Sequence, residues 1–481
     1  MELRTAALKG IVWSAARDWG SRVVRFVVFA VLAQLLPQSA FGIVALGGTY
    51  LAFVRVFVDQ GFADAIIQRD ELEPGHLDTA FWVNLGLAFV MTGGSIALAP
   101  WIGEIFREPS LSLVIQLLSP SFVLAALSGV QQAYIERELS YQVLAIREFI
   151  AGFSGGLVAV GMALGGFGVW SLVGMMLMER VAAVIVLWTA SEWRPGLQVS
   201  VRHFKHLFQF GISVLGTNLL DYVNSRADNL IIGYFLGTTA LGYYDVAYKL
   251  FQNGIDAITR TAASVAFSTF SRLQSNRDRM RQGFLTAAQV VSVVAFPMFA
   301  GTAVVAPDFI GLLFGSKWVP LSAQIYQVLA VGGMLQCVMY FNSPVILACG
   351  KPHWRLGITL LHAGLNVVLF VWAVQWGVVA VAVAFVGRSY LVAPLQVFLV
   401  HMLISLSPRE YFAQFATPLL ATTVLIGILW GGTHVLLGAA GTIAGLAVAG
   451  LAGSACYVAV VYFVDRALFS KIVDLVRSAT A

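Results

Sequence analysis

Charge is what this 481-residue chain has least of. Asp, Glu, Lys and Arg make up 11% of it, against about 25% in soluble domains, which excludes an ordinary water-soluble fold. Cysteine is scarcer still. Cys337, Cys349 and Cys456 lie far apart or in apolar surroundings, so neither a disulfide framework nor a cysteine metal site is expected. The histidines form no H-E-x-x-H pattern, and His203 and His206 flank Lys205 in what reads as a basic loop. No metal or cofactor is expected. "LACGKPHW" holds Gly-Lys without the rest of a G-x-x-x-x-G-K-[ST] loop, and no G-x-S-x-G occurs. Nucleotide hydrolysis and serine-hydrolase chemistry are not encoded in recognisable form. A cleavable leader is not expected either: the first apolar stretch lacks a short h-region with a small-residue cleavage site, and reads as a span.

What the chain has is apolar length. It is 59% hydrophobic with mean hydropathy +0.83, and about 20 apolar residues cross a bilayer. The pattern predicts an all-α integral membrane protein. Its spans fall near 10–34, 40–62, 80–104, 111–134, 146–165, 168–190, 207–235, 241–268, 284–306, 321–346, 355–375, 377–402, 411–432 and 438–464, about fourteen in all. One set of connections carries Arg4, Lys9, Arg69, Arg137, Arg147, Arg194, Arg202, Lys205, Arg272, Arg277, Arg279, Arg281, Lys351, Arg355, Arg409, Arg466, Lys471 and Arg477; the opposite set carries Arg107 and Lys317. Basic loops stay cytoplasmic, so both termini are expected there. Every loop is short, which leaves no extramembrane domain for a soluble active site. Trp170, Trp188, Trp193, Trp318 and Trp376 lie near span ends, as an interfacial belt would. The stretch "SGGLVAVGMALGGFG" reads as close helix packing through small residues.

Charge nevertheless occurs inside the spans, where each mid-bilayer residue costs about 2.5–3.5 kcal/mol on insertion scales. Asp245, Lys249, Asn253, Asp256 and Arg260 are spaced by three or four. They share one helix face over about 22 Å. Ser14, Asp18, Ser21, Arg22 and Arg25 do the same in the first span, and Arg55 and Asp59 stand four apart in the second. The seventh offers Asn218, Asp221, Asn224 or Ser225, and Asp228 on one face, with Tyr222, Arg226 and Asn229 beside it. Glu179, Arg180 and Arg388 add charge at mid-depth of the sixth and twelfth. Such residues pair or face a wet cavity. Pairs at i,i+4 that only hold helices together are the plainer reading. Here the bases outnumber the acids, so full neutralisation is not available. A cationic path suits an anionic ligand, and guanidinium forks suit phosphate. An internal repeat supports a transporter plan: Leu36, Ala40 and Gly42 in "QLLPQSAFGIV" recur as Leu236, Ala240 and Gly242 in "YFLGTTALGYY".

"LLPQSAFGIVAL", "FVDQGFADAIIQRDE", "HLDTAFWVNL", "RADNLIIGYFLGTTALGYYDVAYKLF", "FSTFSRLQ", "LLFGSKWVP" and "NSPVILACGKPHWR", in that order along the chain, resemble the Wzx-type polysaccharide flippases. Within them the likeness is to the colanic-acid exporter-like branch of the multidrug/oligosaccharidyl-lipid/polysaccharide exporter superfamily. The resemblance implies two pseudo-symmetric six-helix lobes, 1–200 and 201–405, with two further helices and a cytoplasmic tail in 406–481. It implies alternating-access movement of an undecaprenyl-diphosphate-linked oligosaccharide from the cytoplasmic to the periplasmic leaflet of a bacterial inner membrane. Arg22, Arg25, Arg55, Arg180, Arg226, Lys249, Arg260 and Arg388 would then bind or steer the diphosphate. Asp18, Asp59, Glu179, Asp221, Asp228, Asn229 and Asp256 would pair with those bases or bind a coupling H⁺ or Na⁺. A polysaccharide polymerase and a chain-length regulator are the partner candidates. A drug–cation antiporter of the same superfamily would need an excess of acid in the cavity. A glycan ligase or polymerase would need a larger external loop than 307–320.

Overall fold

The computed structural model describes residues 20, 23–58, 62, 66–67, 73–138, 140–273, 276–440 and 442–480. Inside its helices the side chains of 74, 201–215, 217, 260–269, 433–440, 442–443, 472 and 475–480 are not described. Among the described residues there is no strand. In lipid the backbone must satisfy its own N–H and C=O groups, and a helix does so within one segment. The helices in chain order are α1 (Val23–Leu35), α2 (Gln38–Val58), α3 (Pro74–Ile105), α4 (Pro109–Leu118), α5 (Ser121–Arg137), α6 (Tyr141–Leu164), α7 (Val169–Ala190) and α8 (Val201–Arg272). There follow α9 (Arg277–Val304), α10 (Ala306–Phe314), α11 (Leu321–Met339), α12 (Asn342–Ala348), α13 (Pro352–Ala373), α14 (Val378–Ile404), α15 (Pro408–Ala413), α16 (Ala416–Ala440), α17 (Thr442–Val464) and α18 (Arg466–Thr480).

Eleven helical segments among the described residues are long and apolar enough to cross a membrane. They coincide with eleven of the expected spans. The expected span 10–34 is described only in part, as α1. The spans expected at 207–235 and 241–268 both fall in the 72-residue α8, which carries the polar stripes and is not among the eleven. The count of fourteen is therefore not established. The break expected between those two spans is present at Gly237, whose φ of 82° and ψ of 176° are non-helical, so that α8 is two helices joined at a kink. That conformation costs L side chains a Cβ clash, and glycine avoids it.

Prolines open α3, α4, α13 and α15, where their missing N–H is not needed. The Asn276 side chain caps α9 by accepting the Arg279 N–H at 3.0 Å.

By contact the chain divides into two compact units, Met1–Gly242 and Tyr243–Ala481. The division falls inside α8, beyond the lobe boundary expected at 200. In the first unit α6 and α7 pair as a hairpin, and α3, α4 and α5 pack together. A cluster of Phe62, Ile66, Leu77, Phe81 and Val130 is roofed by Trp188 and Trp193. The connection 191–200 is extended and strapped onto α3. Buried Asp78 accepts the N–H of Gly196 at 2.9 Å and of Gln198 at 3.4 Å. Trp82 Nε1 donates to the Gly196 carbonyl at 2.7 Å, and Thr79 Oγ1 accepts the Ser200 N–H at 3.1 Å.

In the second unit α11 packs against α9 and α14, and the α16–α17 hairpin docks on α9. Ala421, Leu425 and Leu429 form that joint, and Tyr457 OH donates to the Val293 carbonyl at 2.9 Å. Trp318 departs from the belt expectation. It is fully buried and meets Tyr243 edge to face at 5.8 Å.

Candidate functional site

Arg25 and Glu179 of the first unit meet at a recess in α6. Gly152, Gly155 and Gly156 sit at i, i+3 and i+4, on one face. A methyl at Gly155 would stand 2.6 Å from Glu179 Cγ, and one at Gly152 would stand 3.6 Å from Arg25 Nε. One at Gly156 would meet Val28 Cγ2 at 2.5 Å. The small-residue stripe thus does more than bring backbones together. It makes room for Arg25 and Val28 from α1 and Glu179 from α7. Arg25 and Arg180 both lie near enough for their charges to act on the Glu179 carboxylate. Both arginines are exposed, and Glu179 is half-buried.

Arg147 belongs to the same neighbourhood, although its sequence context reads as a cytoplasmic loop. It lies within α6 at 16% exposure. It donates to Gln132 Oε1 at 2.6 Å and to Glu148 Oε1 at 3.2 Å. Gln132 in turn donates to Glu136 Oε1 at 2.8 Å. Helical spacing does place Gln132 and Glu136 on one face of α5. Nothing in the sequence says that α6 turns Arg147 toward them.

A second feature of this unit is an antiparallel seam between α2 and the first half of α8. Gly42 meets Thr238, Leu46 meets Gly233, and Thr49 meets Asn229. Phe53 meets Tyr222 at 5.4 Å. Asn229 Nδ2 donates to Thr49 Oγ1 at 3.2 Å, and Asp228 Oδ1 accepts the Asn229 N–H at 2.8 Å. Asp228 and Asn229 are 4% and 5% exposed. They hold the seam and do not line an open surface. Asp221 is exposed, while Arg55 and Arg226 are half-buried.

In the second unit the α8 stripe is graded in depth. Asp245 is buried and pairs with exposed Lys249 at 2.6 Å. Asn253 is exposed, and half-buried Asp256 accepts from Gln252 Nε2 at 3.2 Å. Arg388 is 7% exposed. Its guanidinium donates to Asn366 Oδ1 at 2.8 Å and Ser389 Oγ at 3.1 Å, and lies 4.9 Å over the Phe385 ring. Nearby, Gln396 bridges His362 at 3.0 Å and Asn342 at 3.2 Å. Span-by-span reading does not reveal this half-buried amide–imidazole network, because its members are spread over α12, α13 and α14.

Asp18, Arg22 and Asp59 lie outside the described residues, as does the side chain of Arg260. Among those with described side chains, Arg25, Arg180 and Lys249 are exposed bases, and Asp221 alone is an exposed acid. Among the described residues no group of His, Cys, Asp and Glu is arranged to hold a metal ion.

Comparison with known proteins bears on this arrangement. The family model described as "Polysaccharide biosynthesis protein" matches residues 31–323. The chain is 25% identical to the succinoglycan biosynthesis transport protein ExoT of Rhizobium meliloti (strain 1021), covering 98% of this chain and 95% of that one. It is 26% identical to the lipopolysaccharide biosynthesis protein WzxC of Escherichia coli (strain K12), over 70% and 69%. Among solved structures, the lipid II flippase MurJ in an inward closed conformation superposes with a TM-score of 0.79 at 12% identity, covering 95% of this chain and all of that one. At that identity the match shows the fold alone.

Proposed function

Because the chain belongs to the polysaccharide biosynthesis protein family, we propose that it is a flippase. It carries an undecaprenyl-diphosphate-linked oligosaccharide repeat unit from the cytoplasmic to the periplasmic leaflet of a bacterial inner membrane. Similarity to a succinoglycan biosynthesis transport protein and a lipopolysaccharide biosynthesis protein supports this, as does a fold shared with a lipid II flippase. The observation that carries the substrate class is the asymmetry of exposed charge. Arg25, Arg180 and Lys249 are exposed on apolar segments against Asp221 as the one exposed acid of the described candidate set, whereas Asp228 is buried and Asp245 is paired with Lys249. A diphosphate is an anion that guanidinium groups hold in bidentate fashion. A drug–cation antiporter would call for the opposite balance.

Arg25 and Arg180 hold the diphosphate on the first unit. Glu179 either neutralises Arg25 between cycles or carries a coupling H⁺ or Na⁺. Both termini are cytoplasmic, and a polymerase and a chain-length regulator act on the delivered unit.

The test is made in the native host, with the glycosyltransferases intact. Deleting the gene should strand complete lipid-linked repeat units in the inner leaflet, as read by mass spectrometry and leaflet-selective probing of spheroplasts. Each of Arg25→Ala and Arg180→Ala should lower export about 10–100-fold at normal protein level. This is the scale of losing one charge-assisted hydrogen bond of about 1.5–3 kcal/mol. Unchanged lipid-linked glycan in the deletion strain would reject the flippase reading.

A further inference from the structure

The bases near the span ends are used differently in the two units. In the first unit they turn into the protein. Arg137 donates to the Ile66 carbonyl at 2.8 Å, and Arg194 donates to the Ser191 and Trp188 carbonyls at 2.6 and 2.9 Å. In the second unit Arg277, Arg279, Lys351, Arg355, Arg409 and Arg466 are all exposed. Two neighbouring acids are engaged. Asp278 pairs with Arg281 at 3.3 Å, and Asp465 Oδ1 accepts the Leu468 N–H at 2.9 Å. Glu410 and Asp474 are exposed beside them, which leaves the bases in excess.

Two short helices carry part of this charge, and α9 holds both. Left-handed Ser405 turns the chain out of α14 toward α15, and Arg281 donates to its carbonyl at 3.4 Å. Tyr411 of α15 is fully buried and stacks on Phe284 at 5.9 Å. On α18, Lys471 donates to Thr286 Oγ1 at 2.8 Å, and Leu468 is buried against the α16–α17 joint. Arg281 and Thr286 are about 8 Å apart along α9. Both short helices therefore dock at one level of the same span.

Each short helix also shows aromatic carbon beside its base. Arg409 and Phe412 stand at i and i+3 of α15, on one face, and Phe412 is 63% exposed. Arg466 lies 5.6 Å over the Tyr462 ring, next to Phe463 at 73% exposure. A soluble anion or an acidic protein calls for the bases alone. A bilayer interface takes aromatic rings at headgroup level with phosphates beside them.

We propose that α15 and α18, set on α9, form a docking surface for anionic phospholipid headgroups. Their bases meet the lipid phosphates, and Phe412, Tyr462 and Phe463 enter the acyl boundary. The excess of base favours a lipid of net negative charge over a zwitterionic one. The surface works whatever substrate the chain carries.

The test uses the full chain in a neutral detergent, with phosphatidylglycerol or phosphatidylcholine added to the micelles. Phosphatidylglycerol should raise the melting temperature by several degrees relative to phosphatidylcholine. Arg409→Gln with Arg466→Gln should lose at least half of that gain. Phe412→Ala with Phe463→Ala should also reduce it. Arg107→Gln, at an exposed base of the first unit, should keep it. The gain is a difference between two lipids for each protein, so a general loss of stability does not alter the reading. An equal gain in the wild type and the arginine variant overturns the surface. So does a full gain in the aromatic variant, or an equal gain from inorganic pyrophosphate alone, which would mark a site for a free anion.

Discussion

At the scale of single residues, the structure separates charges that stay exposed from charges that hold neighbouring segments. Asp78 is a holder. Its carboxylate is buried and spent on two N–H groups of the strap that leads into α8. A hydrogen bond to a charged acceptor is worth about 1.5–3 kcal/mol, and here it secures a segment with no secondary structure of its own. Asp78→Ala should speed limited proteolysis within 191–200 several-fold, with little change in the melting temperature of the helical core. An unchanged digestion rate would mean that Trp82 and Thr79 suffice. Arg388 is also a holder, since Asn366, Ser389 and the Phe385 ring surround it. Arg25 and Arg180 are the better candidates for contact with an anion.

At the scale of elements, the α6–α7 hairpin shows how a glycine stripe can serve chemistry. The methyl of Gly155→Ala would stand 2.6 Å from Glu179 Cγ and 3.0 Å from the Met175 carbonyl oxygen. Either Glu179 moves or the helices part, and overpacking of this kind costs about 1–3 kcal/mol. The variant should melt several degrees lower in detergent. Gly161→Ala, with nothing within 4 Å, should not. Adding Glu179→Ala to Gly155→Ala should recover part of the loss, and strict additivity would place the clash on the Met175 backbone alone. The 3.6-residue period shows that Gly152, Gly155 and Gly156 share a face. The period carries no information on which neighbour fills it.

At the scale of the molecule, the chain is a multi-pass membrane protein built of two compact units. Its orientation rests on where arginine and lysine collect. A C-terminal green fluorescent protein fusion should fluoresce, and a C-terminal alkaline phosphatase fusion should be inactive. The reverse pair would invert the topology.

The sequence by itself determined the membrane class and eleven of the expected spans. A bilayer demands about 20 apolar residues in each crossing, and that demand is met locally. It also showed the 200-residue repeat, because like copies keep like glycines. Only the tertiary structure decided that Gly42 and Gly242 meet, that Arg147 joins the charged cluster, and that Trp318 is core and not belt. It also decided that Asp228 and Arg388 are buried while Arg25 and Lys249 are open. Those outcomes depend on which helix lies beside which, and hydropathy and helical period fix a face without naming its neighbour.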